Sequence, residues 1–374
     1  MTAKPLTLTV SPQNRQWNGS TSVALAATSA ADLSGIESGD TVTVNDSFLT
    51  ASVATADVGN NKTVTVAVAS GYLEGAEAGN YLLPTIAGSP TVTISRATQS
   101  ALSFTSGTTT TFGQTLALSV SGGTGTGSTS YAVDSGPCSV TGSTLSSTAA
   151  GSCVITATKA QDANYSAVSV TYTVAVAFAD QASVSVTNAT TVVYGSTLAL
   201  TASGGTGTGA YQFATVSGPC SISGTTLSTT AAGNCVLHAR KQGDSGYNAS
   251  AWSTNVTVSI TPKTLSLAVV VDPSSREYNT SRTVALAATT ASNLTGIINN
   301  DAVGTDDSKL SAIVSTADVA TNKVVTVTVA SGFLTGANAG NYQLPTVTGT
   351  PVLTITRTAQ AAITMTSALN TVFG

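Results

Sequence analysis

The sequence predicts an all-β protein, a tandem array of small antiparallel sandwich domains forming an elongated rod, and three observations carry that expectation. The chain repeats itself: the pattern from Lys4 to Arg96 returns from Lys263 to Arg357. "TADVGNNKTVTVAVASGYLEGAEAGNYLLP" at Thr55 is answered by "TADVATNKVVTVTVASGFLTGANAGNYQLP" at Thr316, a register of 261 residues. Self-similarity at a fixed period marks a modular array. Within each unit the hydrophobic period is two, as in Leu116, Leu118 and Val120, in Val168, Val170, Tyr172, Val174 and Val176, and in Val64, Val66 and Val68 with their counterparts Val325, Val327 and Val329; such alternation reads as half-buried strands. Finally, no segment carries a sustained helical stripe with caps, and turn-forming runs such as "SGGTGTGS" from Ser121 and "SGGTGTGA" from Ser203 punctuate the strands.

The units follow in order. The first spans residues 1–97, the second 98–179, the third 180–260 and the fourth 261–357, the outer two copying each other and the inner two likewise. Domains of this size with about seven short strands point to sandwiches of immunoglobulin type. Residues 358–374 begin a fifth unit, since "RTAQAAITMTSALNTVFG" tracks "RATQSALSFTSGTTTTFG" at Arg96 to Gly113. Seventeen residues are too few to bury a core, so this end reads as the first strand of a truncated repeat, or a loose strand able to pair with an exposed sheet edge.

Composition sets the surroundings. Charged residues are 8% of the chain, against roughly 25% in ordinary soluble domains, and net charge is −4 with a sequence pI near 4.8. Nothing here attracts nucleic acid or an anionic membrane over distance. Mean hydropathy is +0.25, yet apolar stretches such as "VAVAFA" from Val174 fall far short of the roughly 18 residues a membrane span needs. "MTAKPLTLTV" already reads as a strand, with Met1 standing where Ile260 stands in the later copy; any secretion signal is expected elsewhere.

Cys138 and Cys153 stand 15 apart, as do Cys220 and Cys235, one pair in each inner unit. A zinc site competes with a disulfide here, but no CxxC spacing occurs, and the single histidine, His238, has Thr156 as its counterpart. Disulfides are therefore expected, and with them an oxidising, extracellular compartment.

A tyrosine recurs at one place in all four units: Tyr81, Tyr165, Tyr247 and Tyr342. A position kept across two unit types serves their shared fold more readily than a ligand. The expectation is a buried ring whose hydroxyl ties a corner between sheets.

These residues carry a resemblance. The inner units resemble bacterial immunoglobulin-like (Big/MBG-type) repeats: an aromatic-glycine pair (Phe112-Gly113, Tyr194-Gly195), a "GGTGTG" turn, "SGPC" and a closing "GxCVxxA". The outer units resemble YDG-type repeat domains through "LxGIxxxD" at Leu33 to Asp40 and Leu294 to Asp301, followed by "AGNYxLP". The Tyr-Asp-Gly signature itself reads Trp17-Asn18-Gly19 and Tyr278-Asn279-Thr280. The resemblance implies stalk or spacer modules of large bacterial surface or secreted adhesins, with no catalytic residues to transfer.

Comparing the copies tests for chemistry. An acid/base pair needs two fixed carboxylates, but Glu37, Glu74 and Glu77 have Ile298, Thr335 and Asn338 as counterparts. His238 stands alone on a predicted strand with no GxSxG elbow. The glycine-rich turns lack the helix and lysine of a phosphate loop. No enzyme and no cofactor are expected. Asp40, Asp46 and Asp57 do recur as Asp301, Asp307 and Asp318, and Asp162 as Asp244. Turn closure is the main reading for these acids, with calcium at inter-domain junctions as its alternative. Trp17 and Tyr278 correspond, whereas Phe48 has Lys309 as its counterpart, which leaves little for a sugar-binding platform. Trp252, where the alternation places Val170, is expected to point into a core.

Length and stiffness remain. "VTYTVAVAFADQASVSV" from Val170 passes from one unit into the next with no linker, and short joints restrict pivoting. Sandwiches roughly 40 Å long would place four in line over about 150 Å. The expected role is a stalk segment of a repetitive bacterial surface adhesin or secreted fibre, whose partners are neighbouring repeats. The alternatives are a filament subunit joined to other copies of itself by strand pairing, and a module binding surface glycans.

Overall fold

The computed structural model describes residues 2–298 and 300–364. They form β-sheets throughout. The only helical pieces among them are three-residue 3-10 turns such as Ala30–Asp32, where Ser29 and Asp32 form a capping box, and Asp46–Phe48, capped by the Asn45 side chain. Such caps satisfy the free amides of a turn too short to build its own ladder.

The chain clusters into two compact units. The first comprises Met1–Ala179 with Ser245–Tyr247, and the second comprises Asp180–Asp244 with Asn248–Gly374. Each holds one wide and one narrow immunoglobulin-like sandwich.

In the first unit the wide sandwich has a four-stranded sheet, ordered Arg15–Gln16, Thr91–Ser95, Gly59–Val68, Leu49–Val53, and a three-stranded one, ordered Leu33–Ser34, Thr7–Leu8, Thr85–Ile86. The pair Thr43–Val44 and Leu73–Glu74 completes it. The narrow sandwich sets the four strands Thr109–Thr111, Val168–Ala177, Gly151–Lys159, Thr129–Ser135 beside the three strands Leu116–Ala117, Thr144–Ser147, Cys138–Thr141. Alternation governs the burial: along Gly151–Lys159, Cys153, Ile155 and Ala157 are fully buried while intervening residues are not. Burying a side chain of isoleucine size contributes about 1.5–3 kcal/mol, so this strand anchors its core.

The second unit repeats both plans in reverse order. Its narrow sandwich is built on Gly233–Lys241 and Val256–Thr261, and its wide one on Lys263–Ala268, Ala320–Val329 and Tyr342–Thr348. Val256–Thr261 runs through Pro262 straight into Lys263–Ala268. A single apolar cluster extends from Val184 and Tyr194 through Leu237 and Ile260 to Leu265, Phe333 and Tyr342.

The sheets are antiparallel with one recurrent departure: in every sandwich an early strand pairs in parallel with a late one. Thr109–Thr111 beside Ala175–Ala177, Thr191–Val193 beside Ser259–Thr261, and Thr7–Leu8 beside Thr85–Ile86 are examples. A periodicity of two reports which face is buried and not which neighbour a strand pairs with. For that reason the antiparallel expectation missed these pairs.

Of the expected fifth repeat, residues 358–364 carry no strand, and residues 365–374 lie outside the described residues.

Candidate functional site: the domain junctions

Two of the recurrent tyrosines lie where one sandwich meets the next within a unit, Tyr165 in the first and Tyr342 in the second. Tyr342 follows the turn Ala339–Asn341 at the start of Tyr342–Thr348 and is 6% exposed. Its hydroxyl donates to Asp301 Oδ2 at 2.7 Å and accepts the Ile298 N–H at 2.9 Å. Tyr194, from the narrow sandwich of the same unit, meets it edge to face with ring centroids 5.7 Å apart at 86°, and donates to the same Asp301 oxygen at 2.9 Å. The Ala232 N–H donates to Asn341 Oδ1 at 2.8 Å across this joint. Burial pushes the Tyr342 hydroxyl up to about 12 and also raises that of Tyr194, with the Asp301 carboxylate holding both protons in place. Gly195 adopts φ +81° here, and a Cβ on it would fall 1.7 Å from Ile298 Cδ1. Only glycine fits.

In the first unit Tyr81 occupies the matching place in its own sandwich. Its hydroxyl donates to Asp40 Oδ2 at 2.6 Å and accepts the Glu37 N–H at 2.9 Å. Tyr165 and Tyr247 are half-buried, and each faces an aromatic ring. Tyr165 meets Trp17 at 5.3 Å and 67°. Tyr247, in the short segment that clusters with the first unit, meets Phe112 at 5.3 Å and 85°. Of the hydroxyl ties expected of the four rings, those of Tyr81 and Tyr342 run to Asp40 and Asp301, and Tyr165 and Tyr247 each pack against an aromatic ring.

Around Tyr165 the backbone is stitched: Ala97 N–H to the Asn164 carbonyl and Ser166 N–H to the Ala97 carbonyl, both 2.9 Å, with Arg96 Nε donating to the Asp162 carbonyl at 2.8 Å. The Asp162 carboxylate accepts backbone N–H groups of Thr126 at 2.6 Å, Asn164 at 2.9 Å and Tyr165 at 2.7 Å. These three donors favour the anion and lower its pKa to about 2. A folded-state pKa below the unfolded value contributes stability that is present above about pH 4 and is lost as pH falls through about 2. In acid melts of the first unit, the gap in melting temperature between the parent chain and Asp162→Asn is therefore expected to be full near neutrality and to close between about pH 4 and pH 2. A gap that stays constant down to pH 2 counts against the assignment.

Two residues escaped the sequence reading. Gln99, 5% exposed, donates Nε2 to the Ser166 carbonyl at 2.7 Å and accepts the Gly125 N–H at 3.1 Å. Gln181 repeats this with the Asn248 carbonyl at 2.8 Å and the Gly207 N–H at 3.1 Å. Their signal was present, a glutamine three residues after Arg96 and again just after Asp180, but polar residues are ordinarily discounted as surface. These contacts also explain "GGTGTG". A Cβ on Gly127 would fall 2.1 Å from the Ala160 carbonyl, and one on Gly209 would fall 2.0 Å from that of Gln242.

The cysteines form two disulfides, Cys138–Cys153 and Cys220–Cys235, with Cα atoms 6.0 and 5.8 Å apart. Each ties the three-stranded sheet of a narrow sandwich to its four-stranded sheet. The remaining candidates are dispersed. Asp46 accepts from the Thr28 amide and hydroxyl, and Asp307 does the same for Thr289. Among the described residues no group of three or more His, Cys, Asp and Glu gathers closely enough to hold a metal. Glu37 pairs with Lys4 at the surface, Glu74 accepts from Asn45 Nδ2, and Glu77 accepts the Thr41 N–H.

Trp252 does not enter a core. It is 36% exposed, stacked on His238 at 4.1 Å and 11°, with the Arg240 guanidinium 4.6 Å from its ring centre. The cause lies beside it. Ser250 and Ser253 hydroxyls accept the Lys241 and Ala239 amides at 2.9 and 3.0 Å, replacing ladder bonds and ending the alternation on which the inward placement depended.

The shared geometry of Tyr81 with Asp40 and Tyr342 with Asp301 has a counterpart in sequence comparison. Residues 2–91 and 261–349 match the YDG domain family. Both YDG matches thus fall on the wide sandwiches, and each contains its tyrosine-aspartate pair. No curated protein matches the chain. Among solved structures it is similar to the fibronectin(III)-like modules of Clostridium thermocellum CbhA, at 15% identity over 42% of this chain and 93% of that one, TM-score 0.20. Others are the S-layer protein rSbsC, at 12% identity over 96% and 55%, TM-score 0.21, and the cadherin domains 1–5 of protocadherin gamma B2, at 8% identity over 97% and 82%, TM-score 0.28. No helix among the described residues is long and apolar enough to cross a membrane.

Proposed function

We propose that this chain is a non-enzymatic structural spacer, a stalk segment of a large repetitive bacterial surface adhesin or secreted fibre that supplies length and stiffness. The observation that carries this reading is the joint in the second unit. A strand of the narrow sandwich continues through one proline into the first strand of the wide one, and one apolar cluster spans both. Such a joint resists bending because any pivot must open a packed core. The two disulfides support an extracellular setting, since such bonds persist in oxidising compartments. What the copies repeat most faithfully are turns, strand faces and junction aromatics.

Small-angle scattering from the purified chain tests the proposal. The expected result is a rod-like profile with a maximum dimension on the order of 150 Å, from four sandwiches in line. A globular profile, with a maximum dimension near half that value, overturns it.

A further inference from the structure

Three of the four recurrent tyrosines carry an aromatic ring from an earlier part of the chain: Trp17 on Tyr165, Phe112 on Tyr247, Tyr194 on Tyr342. Each of these rings precedes a glycine by one or two residues. No aromatic ring meets Tyr81 among the described residues, and beside it lies a solvent-exposed cleft of about 310 Å³ lined by Lys4, Glu37, Asp40, Asn80 and Tyr81.

The polar groups of that cleft match those that receive Tyr194. Tyr81, Asp40 and the Glu37 amide hold the same hydrogen bonds as Tyr342, Asp301 and the Ile298 amide. Lys4 bridges Tyr81 in parallel as Lys263 pairs with Tyr342. The difference is in exposure: Asn341 is 6% exposed beneath the narrow sandwich, whereas its counterpart Asn80 is exposed. Asp301 also shows that one carboxylate oxygen at this position accepts two phenols.

We propose that the face of the first wide sandwich at Asp40 and Tyr81 is a docking socket for the tyrosine-glycine turn of a narrow immunoglobulin-like sandwich joined ahead of Lys4. The incoming tyrosine packs edge to face on Tyr81 and donates its hydroxyl to Asp40. The glycine passes over residue 37, where any Cβ would crowd the rim as it would crowd Ile298 at Gly195. Glu37 replaces that isoleucine, and its carboxylate is drawn aside by Lys4, so the rim of this socket is charged where the other is apolar. The inference is independent of the spacer reading, because it concerns what one face binds and not the shape of the array.

The test extends the full chain by placing a second copy of residues 180–260 in front of residue 2, and follows amide exchange against the 374-residue parent. The Glu37 amide is expected to exchange at least about tenfold more slowly in the extended chain, through loss of local opening. The Tyr194→Phe change in the added copy alone should remove most of that protection. An added copy whose own strands are protected while Glu37 exchanges at the parent rate overturns the proposal, as does full protection with Tyr194→Phe. An added copy that stays unprotected also overturns it, because the socket then fails to support the sandwich it is proposed to receive.

Discussion

Tyr194→Ala is expected to destabilise the second compact unit by about 3–5 kcal/mol, the range for removing a buried aromatic ring, and to split its unfolding into two transitions. Tyr194 is 2% exposed, packs on Tyr342 and donates to Asp301. It lies in an apolar cluster that runs through both sandwiches of that unit. Removing the ring opens a cavity where the two halves share a core, so the loss falls on their coupling as well as on each half. Tyr194→Phe separates the contributions. The ring stays, and Asp301 keeps the Tyr342 hydroxyl, so the cost should be only about 0.5–1.5 kcal/mol with the single transition preserved. Calorimetry of the two variants decides: one unchanged transition in Tyr194→Ala means the sandwiches are not joined through this contact.

The second large effect is expected at the disulfides. Replacing Cys138 and Cys153 together by alanine should cost about 3 kcal/mol for a closed loop of this length in the chain-entropy account. Domains of this size lose roughly 4–8 °C per kcal/mol, so the first narrow sandwich should melt some 12–24 °C lower. Cys153 is fully buried and the bridge joins two sheets, so lost packing adds to the loop term. The pair Cys220 and Cys235 should behave alike in the second unit, and the two losses should add, because sites without shared partners are independent. Reducing the parent chain should reproduce the double replacement. A drop of only a degree or two would mean the reduced sheets hold together without the bridge.

Much of this was legible in the sequence. Val64, Cys153, Ile155 and Val325 fall on buried faces as the two-residue period requires, because that period is the geometry of a strand and needs no knowledge of its neighbours. The cysteine pairing followed from count and spacing. The tyrosines stood out by recurrence, but their surroundings did not: Tyr194 and Asp301 are 107 residues apart, and no local pattern marks such a contact. Gln99 was passed over because polarity suggests surface, whereas here a buried amide satisfies the backbone of a glycine turn. Trp252 was misplaced because two serine hydroxyls take over backbone bonds and end the strand pattern just where the tryptophan stands.

The position of the bridges has a consequence for a chain that is stretched. A narrow sandwich torn open by a pulling force pays out its residues as extended chain, but those between Cys138 and Cys153 stay short-circuited by the sulfur bond. With a separation of 15 residues and at most about 3.6 Å per residue, each bridge withholds roughly 50 Å of contour. A failing module therefore yields less slack to its neighbours, and the tether recovers tension over a shorter distance.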